Sequence, residues 1–335
     1  MKTAFKVLPE GLYCPPGDFF IDAWRPVKNC FITHGHGDHS RWGHQQYYCS
    51  KPSVPIICHR LGEKIKVKAL DYGEKIKMGD AWVSLHPAGH ILGSAQVRIE
   101  TKNGVFVVSG DYKRAIDPTC LPFEPVECDV FVTETTFALP VFQWDDPKIA
   151  GKQIYDWWQN NSQNNHPSVL FAYALGKAQH VMAMLKQFTD QLVYLHGAVT
   201  HLAHIYKEQG IEMVPFLPVS DKPKNENFLK DLIIAPPSAA GSLWLKRFPT
   251  FRTAAASGWM QVRGMRKRAG HDYGFVLSDH ADWNDLIKTV QQTKAKHVLT
   301  THGYTDVFSR YLTEDLGIKS TELKGLEAAT EEDVG

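Results

Sequence analysis

The sequence predicts a mixed α/β protein of two domains, on three observations. Its 335 residues amount to about two average domains. Short apolar runs alternate with Gly, Pro and Asp through about residue 135, which is typical of short strands closed by turns. Between residues 149 and 262, apolar residues at helical spacing alternate with strand-like runs, which indicates an α/β unit within the chain.

The individual elements follow from these runs. The predicted strands of the first part include Asp18–Ile21, Cys30–Thr33, Trp82–His86, Val105–Ser109 and Val130–Val132. Helical spacing predicts helices at Ile149–Gln159 and Lys177–Phe188. The strand-like runs of the middle region are Val169–Ala174, Gln191–Leu195, Asp231–Ala235 and Arg252–Ser257.

Composition and charge exclude several classes of protein. Hydrophobic residues make up 43% and charged residues 22% of the chain, which argues against disorder, collagen and coiled coil. Lys plus Arg number 37 and Asp plus Glu 36, so the net charge is +1. A strongly basic field over the whole protein is therefore excluded, and any binding of nucleic acid must depend on a local patch.

The cysteines and the apolar runs indicate the cellular compartment in which we expect the protein. The six cysteines include no CxxC pair, which argues against a zinc ribbon or a thioredoxin-like motif. The first residues lack a long apolar segment, and no apolar run approaches the roughly 18 residues of a membrane span. We expect a cytoplasmic protein with free thiols and no membrane partner.

The strongest motif is the run His34-Gly35-His36-Gly37-Asp38-His39, directly after an apolar strand. Four ligand-type residues within six positions are improbable as an ordinary polar loop. His34 and His36 can converge on one ion, and Asp38 and His39 can face a second ion nearby. Imidazole and carboxylate groups suit Zn²⁺ and also Mn²⁺. The sequence therefore predicts a metal site at the end of this strand.

Further ligand-type residues follow other apolar runs. Taken singly, each is more often a cap, a turn residue or a core histidine than a functional group. Taken together, they supply the remaining pieces of a metal site. These residues are Asp22, His90, Asp111, Glu134, His280 and His302.

The order and spacing of these residues resemble a known superfamily. The histidine-rich run, followed by His90 and Asp111, resembles the ligand set of the metallo-β-lactamase fold. Glu134, His280 and His302 resemble motifs A, B and C of its β-CASP nucleases. The gap of 146 residues between Glu134 and His280 (280 − 134) is where that family inserts its β-CASP domain. The resemblance to this family covers about residues 10–315. Within the family, the opening Gly11-Leu12-Tyr13-Cys14-Pro15 and the short length look most like the bacterial DNA-ligase-associated exonuclease branch.

The resemblance implies a fold, a cofactor and a division of roles. A metallo-β-lactamase αββα sandwich would comprise residues 1–148 and 263–335, and the α/β β-CASP domain would be inserted at 149–262. Two divalent metal ions are implied, Zn²⁺ or alternatively Mn²⁺. The ligands implied for the first ion are His34, His36 and His90, with Asp111 bridging. Those implied for the second are Asp38, His39, Asp111 and His302.

The remaining implied roles concern catalysis. Asp22 would orient a ligand histidine, and Glu134 would hold His280 as the general acid. Hydrolysis of a phosphodiester needs an activated water, which two metals about 3.5–4 Å apart supply while clamping a phosphoryl oxygen. The leaving alkoxide needs a proton, and its transfer from His280 is worth about 10²–10⁴-fold in rate.

The resemblance predicts a phosphodiesterase or exonuclease that acts on DNA single strands or ends in DNA repair. Association with a DNA ligase or a helicase is a further implication of the branch. An RNA-processing nuclease stays open, because RNA-processing members carry histidine at motif C, as His302 does here, whereas many DNA-specific members carry an apolar residue. Two other classes are a small-molecule hydrolase, which the long insert disfavours, and a catalytically silent scaffold, which the complete ligand set disfavours.

Residues that could hold the substrate lie in or after the predicted insert. Arg263, Arg266, Lys267 and Arg268 form the clearest basic cluster and could bind backbone phosphates; the alternative is a solvated surface loop. Lys177, at a predicted helix start, could meet a phosphate or be an ordinary exposed lysine. The resemblance implies backbone donors at Ser257 and Gly258. Other histidines, His44 and His204 among them, show no ligand context.

Overall fold

The computed structural model describes residues 4–223 and 226–325. Within them the strands are β1 (Lys6–Leu8), β2 (Gly11–Cys14), β3 (Phe19–Ile21), β4 (Asn29–Phe31), β5 (Gln46–Ser50), β6 (Val67–Leu70), β7 (Ile76–Met78), β8 (Ala81–Pro87), β9 (Ala95–Thr101), β10 (Gly104–Val108), β11 (Val130–Thr135), β12 (Ser168–Phe171), β13 (Val193–Leu195), β14 (Phe216–Pro218), β15 (Leu232–Ala235), β16 (Arg252–Ala256), β17 (Tyr273–Phe275), β18 (His297–Gly303) and β19 (Ser320–Glu322). The α-helices are α1 (Val54–Leu61), α2 (Pro147–Gln163), α3 (Lys177–Leu185), α4 (Gly197–Glu208), α5 (Arg263–Ala269), α6 (Trp283–Thr293) and α7 (Thr305–Glu314).

These elements form two compact units. The first unit comprises residues 4–114, 120–143 and 280–325 of the described chain, and the second comprises 115–119 and 144–279 without the two undescribed positions. No helix among the described residues combines the length and the apolar character needed to cross a membrane.

Two sheets share one core in the first unit. Their strand orders are β1-β2-β3-β4-β5-β6 and β19-β18-β11-β10-β9-β8-β7. Phe19 and Phe31 of the first sheet belong to the same apolar cluster as Val83, Val97 and Phe106 of the second. Because successive side chains of a strand point to opposite faces, each sheet contributes alternate residues to this core.

Helices cover the outer faces of both sheets of the first unit. Phe131, on the outer face of the second sheet, packs in one cluster with Leu286 of α6 and Phe308 of α7. Tyr47, on the outer face of the first sheet, clusters with Ile57 of α1. The central strands of each sheet are therefore buried on both faces, which explains their continuous apolar runs, whereas outer strands such as β8 keep exposed side chains, Trp82 among them.

Strand direction in the first unit brings the polar residues together. Strands β10, β11 and β18 are parallel neighbours, so their carboxyl ends lie at the same edge of the sheet. Asp111 follows β10, Glu134 lies near the end of β11, and His302 near the end of β18. Strands β3 and β4 are also parallel, and Asp22 and the histidine-rich run follow their ends.

The second unit is built on a parallel sheet of order β14-β13-β15-β12-β16-β17. One face carries the apolar sides of α2, α3 and α4, represented by Ile154, Met182 and Ala203. The other face packs against irregular segments that contribute Phe228 and Phe248. Alternation of helices and parallel strands accounts for the helical and strand-like runs seen in this part of the sequence.

The predicted insert, residues 149–262, lies inside the second unit, which extends further along the chain. Strand β17 pairs in parallel with β16, with Ala254 opposite Tyr273 and Ala256 opposite Phe275, so the unit continues to residue 279. The predicted helix Ile149–Gln159 is longer at both ends. It begins after Asp146, whose Oδ1 accepts the Lys148 N–H at 2.9 Å, as an N-cap does.

Candidate metal centre

The backbone after β4 folds tightly and presents the histidine-rich run. The N–H groups of His39 and Ser40 donate to the carbonyl oxygen of His36 at 3.2 and 2.8 Å, which closes a turn around the run. Gly110 lets the loop after β10 approach the start of the histidine-rich run. It has a φ of +57°, and a Cβ there would lie 2.6 Å from Cβ of Thr33. Only glycine therefore allows Asp111 to come this close to the run.

Four ligand atoms, from His34, His36, His90 and Asp111, lie within 4.8 Å of one another. Nε2 of His34 is 3.5 Å from Oδ2 of Asp111, and Nε2 of His90 is 3.8 Å from the same oxygen. Two ligands of one tetrahedral Zn²⁺, each about 2.1 Å from the ion, are about 3.4 Å apart. The observed separations therefore suit side chains that share one ion.

A second group of ligand atoms adjoins the first. Nε2 of His39 is 3.5 Å from Oδ2 of Asp38 and 3.5 Å from Oδ2 of Asp111. The ring centroid of His302 lies 5.7 Å from that of His39. Three of the four residues predicted for the second ion thus meet, and His302 borders them. Within the described part of the chain, ligand atoms of His34, Asp38 and His39 all lie within 4.8 Å of one another in this second group.

The chemistry of these donors fits a cation. Thr33 Oγ1 donates to Oδ2 of Asp22 at 2.6 Å, so toward Nδ1 of His34, 3.1 Å away, it acts as an acceptor. This places the His34 proton on Nδ1 and leaves a lone pair on Nε2, which is buried and has no hydrogen-bond partner among the described residues. Burial, reinforced by His39, holds the pKa of His34 well below its usual range. A neutral imidazole with a free lone pair, next to a carboxylate oxygen, is an arrangement that suits a bound cation.

Asp22 orients the second histidine. Its Oδ2 lies 2.8 Å from Nδ1 of His39, and its Oδ1 accepts the Thr33 N–H at 2.8 Å. Nε2 of His39 is thereby directed toward the carboxylates of Asp38 and Asp111. Burial lowers the pKa of His39, but these three carboxylates outweigh it and raise the pKa well above its usual range. A bound cation would take the place of that proton. Asp22 and His302 both hold positive φ, at 47° and 53°.

Glu134 and His280 form a buried pair at the same edge of the sheet. Oε2 of Glu134 lies 2.8 Å from Nδ1 of His280. Oε1 of Glu134 accepts the Tyr112 N–H at 2.7 Å, and Oε2 also accepts the Thr136 hydroxyl at 2.6 Å. Burial raises the pKa of Glu134, and His280 opposes this. Ligand atoms of Asp111, Glu134 and His280 also lie within 4.8 Å. Both Glu134 oxygens, however, already accept hydrogen bonds, so the pair suits proton handling better than ion binding.

The residues predicted to contact phosphates lie in the second unit. The alternative of an exposed lysine is wrong for Lys177, which is only 4% exposed and whose Nζ lies 3.1 Å from Oδ2 of Asp279. The basic cluster is not a loop but the exposed helix α5, because residues 263–269 complete helical turns. Arg266 donates from Nε and Nη2 to the Met260 carbonyl. Oγ of Ser257 accepts the Trp259 N–H at 3.3 Å, and Gly258 follows in that short turn.

Several residues of the centre were not predicted from sequence. Thr33 fixes the His34 tautomer, while Tyr112 and Thr136 hold Glu134. Each is a sequence neighbour, within two positions, of a predicted ligand or acid, which is the signal that could have identified them. Arg41 has a buried Nε without a hydrogen-bond partner in the described chain, two residues after His39.

Comparison with known proteins identifies relatives of this chain. A probable DNA ligase of Opitutus terrae is 32% identical over 308 residues, which cover 91% of this chain and 30% of that protein. An RNase J-like protein of Methanocaldococcus jannaschii is 20% identical over 211 residues, covering 54% of this chain and 50% of that protein. A solved structure from Enterococcus faecalis V583, of a protein of unknown function, matches with a TM-score of 0.59 and 13% identity, over 90% of this chain and 80% of that one. No protein-family model matches the chain.

The curated relatives confirm the resemblance seen in the sequence, which is to the β-CASP nucleases of the metallo-β-lactamase fold. The solved structure, at 13% identity, bears on the fold alone. The chain spans 30% of the ligase and half of the RNase J-like protein, so it corresponds to one part of each.

Proposed function

We propose that this chain is a metal-dependent nuclease that hydrolyses phosphodiester bonds, on an αββα sandwich carrying an inserted β-CASP domain. The observation that carries the proposal is the convergence of His34, His90 and Asp111 at ion-sharing distances on the same sheet edge as the Glu134–His280 pair. Curated relatives named as ribonucleases support the reaction class. Hydrolysis of a phosphodiester needs a metal centre to activate water and a nearby imidazole, fixed in orientation, to protonate the leaving group.

In this proposal the side chains divide into ligands and proton carriers. His34, His36, His90 and Asp111 would hold the first ion, and Asp38, His39, Asp111 and His302 would hold the second. When bound, the two divalent ions, Zn²⁺ or Mn²⁺, would lower the pKa of a water and neutralise charge on the phosphoryl group. Every other contribution comes from the protein.

His280 is the proposed general acid. Its Nδ1 lies 2.8 Å from the Glu134 carboxylate, which favours the protonated ring and fixes its orientation. The proton on Nε2 is then the one available to the leaving oxygen. The ring centroid of His280 lies 4.8 Å from that of His90, so the proposed acid lies beside a proposed ligand of the first ion.

We propose DNA single strands or ends as the substrate. A relative that covers 91% of this chain is named as a probable DNA ligase, which supports a DNA context and an association with a ligase. An RNA substrate is the second candidate, because His302 occupies motif C and one relative is RNase J-like. The sequence likeness to the exonuclease branch favours DNA.

The test is a parallel cleavage assay. Purified protein, stripped and reloaded with Zn²⁺ or Mn²⁺, is given DNA and RNA oligonucleotides of the same sequence, labelled at either end. We expect metal-dependent loss of terminal nucleotides from DNA, which a chelator abolishes and His34→Ala removes. A large preference for RNA would replace the DNA assignment, and intact oligonucleotides of both kinds would leave a nucleic-acid-binding scaffold.

A further inference from the structure

A group of charged side chains lies buried within the second unit. Asp117, Lys177, His180 and Asp279 are 5, 4, 0 and 3% exposed. They come from three separate segments of the chain: residues 115–119, helix α3, and the stretch after β17. The proposed phosphodiester chemistry assigns no role to His180, Asp117 or Asp279.

Three ligand-type atoms of this group converge. Nδ1 of His180 lies 3.2 Å from Oδ2 of Asp117 and 3.8 Å from Oδ1 of Asp279. One ligand atom from each residue falls within a sphere where all separations are at most 4.8 Å. These spacings match those among His34, His90 and Asp111, and they are near the roughly 3.4 Å expected of two ligands on one tetrahedral ion.

Each carboxylate is anchored through its other oxygen. Oδ1 of Asp117 accepts the N–H of Thr119 at 2.8 Å and its hydroxyl at 2.6 Å. Oδ2 of Asp279 lies 3.1 Å from Nζ of Lys177. Both carboxylates are thus held in orientations that bring the second oxygen near His180. Metal-binding carboxylates are commonly oriented by hydrogen bonds in this way.

The imidazole of His180 points into the group without a hydrogen bond. Within the described part of the chain, neither ring nitrogen has a hydrogen-bond partner, although the side chain is fully buried. Nδ1 is within ion-pair range of two oxygens, yet its direction suits a hydrogen bond to neither. Two carboxylate oxygens lie beside this ring, and the second oxygen of Asp279 faces the ammonium of Lys177. A cation between the three atoms would satisfy both the lone pair and the two oxygens beside it.

We propose that Asp117, His180 and Asp279 form a site for a divalent transition-metal ion, Zn²⁺ or Mn²⁺. One imidazole nitrogen with two carboxylate oxygens selects these ions over Ca²⁺ and Mg²⁺, which prefer oxygen alone. The ion ties residues 115–119 to α3 and to the segment that ends at Asp279. Its role is structural, because its ligands are buried and come from three separate segments of the chain.

The experiment counts ions in the full chain with the first centre disabled. In the double variant His34→Ala/Asp111→Ala, stripped and reloaded with Zn²⁺ and then desalted, elemental analysis should find about one ion per chain. Adding His180→Gln should remove that ion, whereas adding His204→Gln, an exposed histidine of α4, should leave it. A folded double variant without metal, or an ion that persists with His180→Gln, would overturn the proposal.

Two further measurements test the proposal even if the multiple variants fail to fold. Unmutated protein should hold about one more ion than His180→Gln alone, and the conservative Asp117→Asn change should weaken Zn²⁺ binding at this site at least about tenfold. Chelation should also lower the midpoint of thermal unfolding of the double variant but not of the same protein carrying His180→Gln. Equal ion counts, or equal shifts on chelation, would mean that His180 is an ordinary buried imidazole. None of these readouts depends on cleavage, so failure here leaves the nuclease proposal intact.

Discussion

Glu134 and His280 meet at 2.8 Å between Oε2 and Nδ1, although 146 residues separate them along the chain. The carboxylate is fixed in turn by the Tyr112 backbone and the Thr136 hydroxyl. A ring held from one side keeps a single orientation and tautomer. This contact is the basis of the general-acid role proposed for His280.

Removal of His280 should separate catalysis from metal binding. We expect His280→Ala to lower kcat by about 10²–10⁴-fold, because the leaving oxygen loses its proton donor, while the metal content stays near that of the unmutated protein. His302→Ala should instead lose about one ion, since this residue borders the second group of ligands. Elemental analysis beside single-turnover cleavage makes the comparison. Equal metal loss in both variants would contradict this division of roles.

The double change Asp38→Ala/His39→Ala should abolish cleavage. Both side chains belong to the second ligand group, and without them the reaction loses the charge stabilisation that an ion supplies, worth several kcal/mol. Binding of oligonucleotide, measured by fluorescence anisotropy, should persist. His204→Gln provides a matched histidine change far from any ligand group in sequence. Undiminished cleavage by the pure double variant would show that the observed nuclease was a contaminant and that the chain is a scaffold.

Neutralising the basic helix should weaken binding and its dependence on salt. With Arg266, Lys267 and Arg268 changed to Gln, we expect the slope of log affinity against log salt to become shallower by up to about 2–3, one condensed counterion per lost phosphate contact. Dissociation constants measured between low and moderate salt give the slope. The control changes three exposed lysines of the first unit, Lys64, Lys66 and Lys68. Equal slopes for both triple variants would make α5 an ordinary solvated helix.

Stability should fall in mild acid because of His44. This side chain is buried, its Nδ1 accepts the Val27 N–H at 3.2 Å, and burial lowers its pKa from 6.5 to about 4. Between these two values the unfolded chain binds a proton that the folded chain does not, so stability is lost as the pH falls from 6.5 toward 4. The loss from this group is at most about 3 kcal/mol.

The His44→Asn variant tests this, because an amide oxygen can still accept from Val27 but does not titrate. Urea unfolding at neutral pH and near pH 4.5 gives the stability of both proteins. We expect the variant to lose less stability than the unmutated protein over this range. Parallel losses would assign the acid sensitivity to other groups.

The first unit was the more predictable part of the molecule. Ligand-type residues directly after apolar runs predicted a metal site because parallel strands end at one edge, and the structure brings Asp111 and Glu134 together there. The gathering of Asp117, His180 and Asp279 could not be predicted, since it depends on three segments that meet only in the folded chain. Lys177 was predicted to meet a phosphate at a helix start, with an exposed lysine as the alternative; its burial could not be predicted, because no local pattern shows that a helix start will be buried.

The two left-handed residues, Asp22 and His302, have a consequence for directed evolution. A side chain with positive φ costs about 1 kcal/mol or more that glycine avoids. At Asp22 the hydrogen bonds to Thr33 and the contact with His39 offset this cost. At His302, selection for heat resistance alone should enrich glycine, and the survivors would be stable proteins that lack a proposed ligand of the second ion. Variants of this protein that are selected for stability must also be screened for turnover, because the most stable ones would have lost a residue of the metal centre.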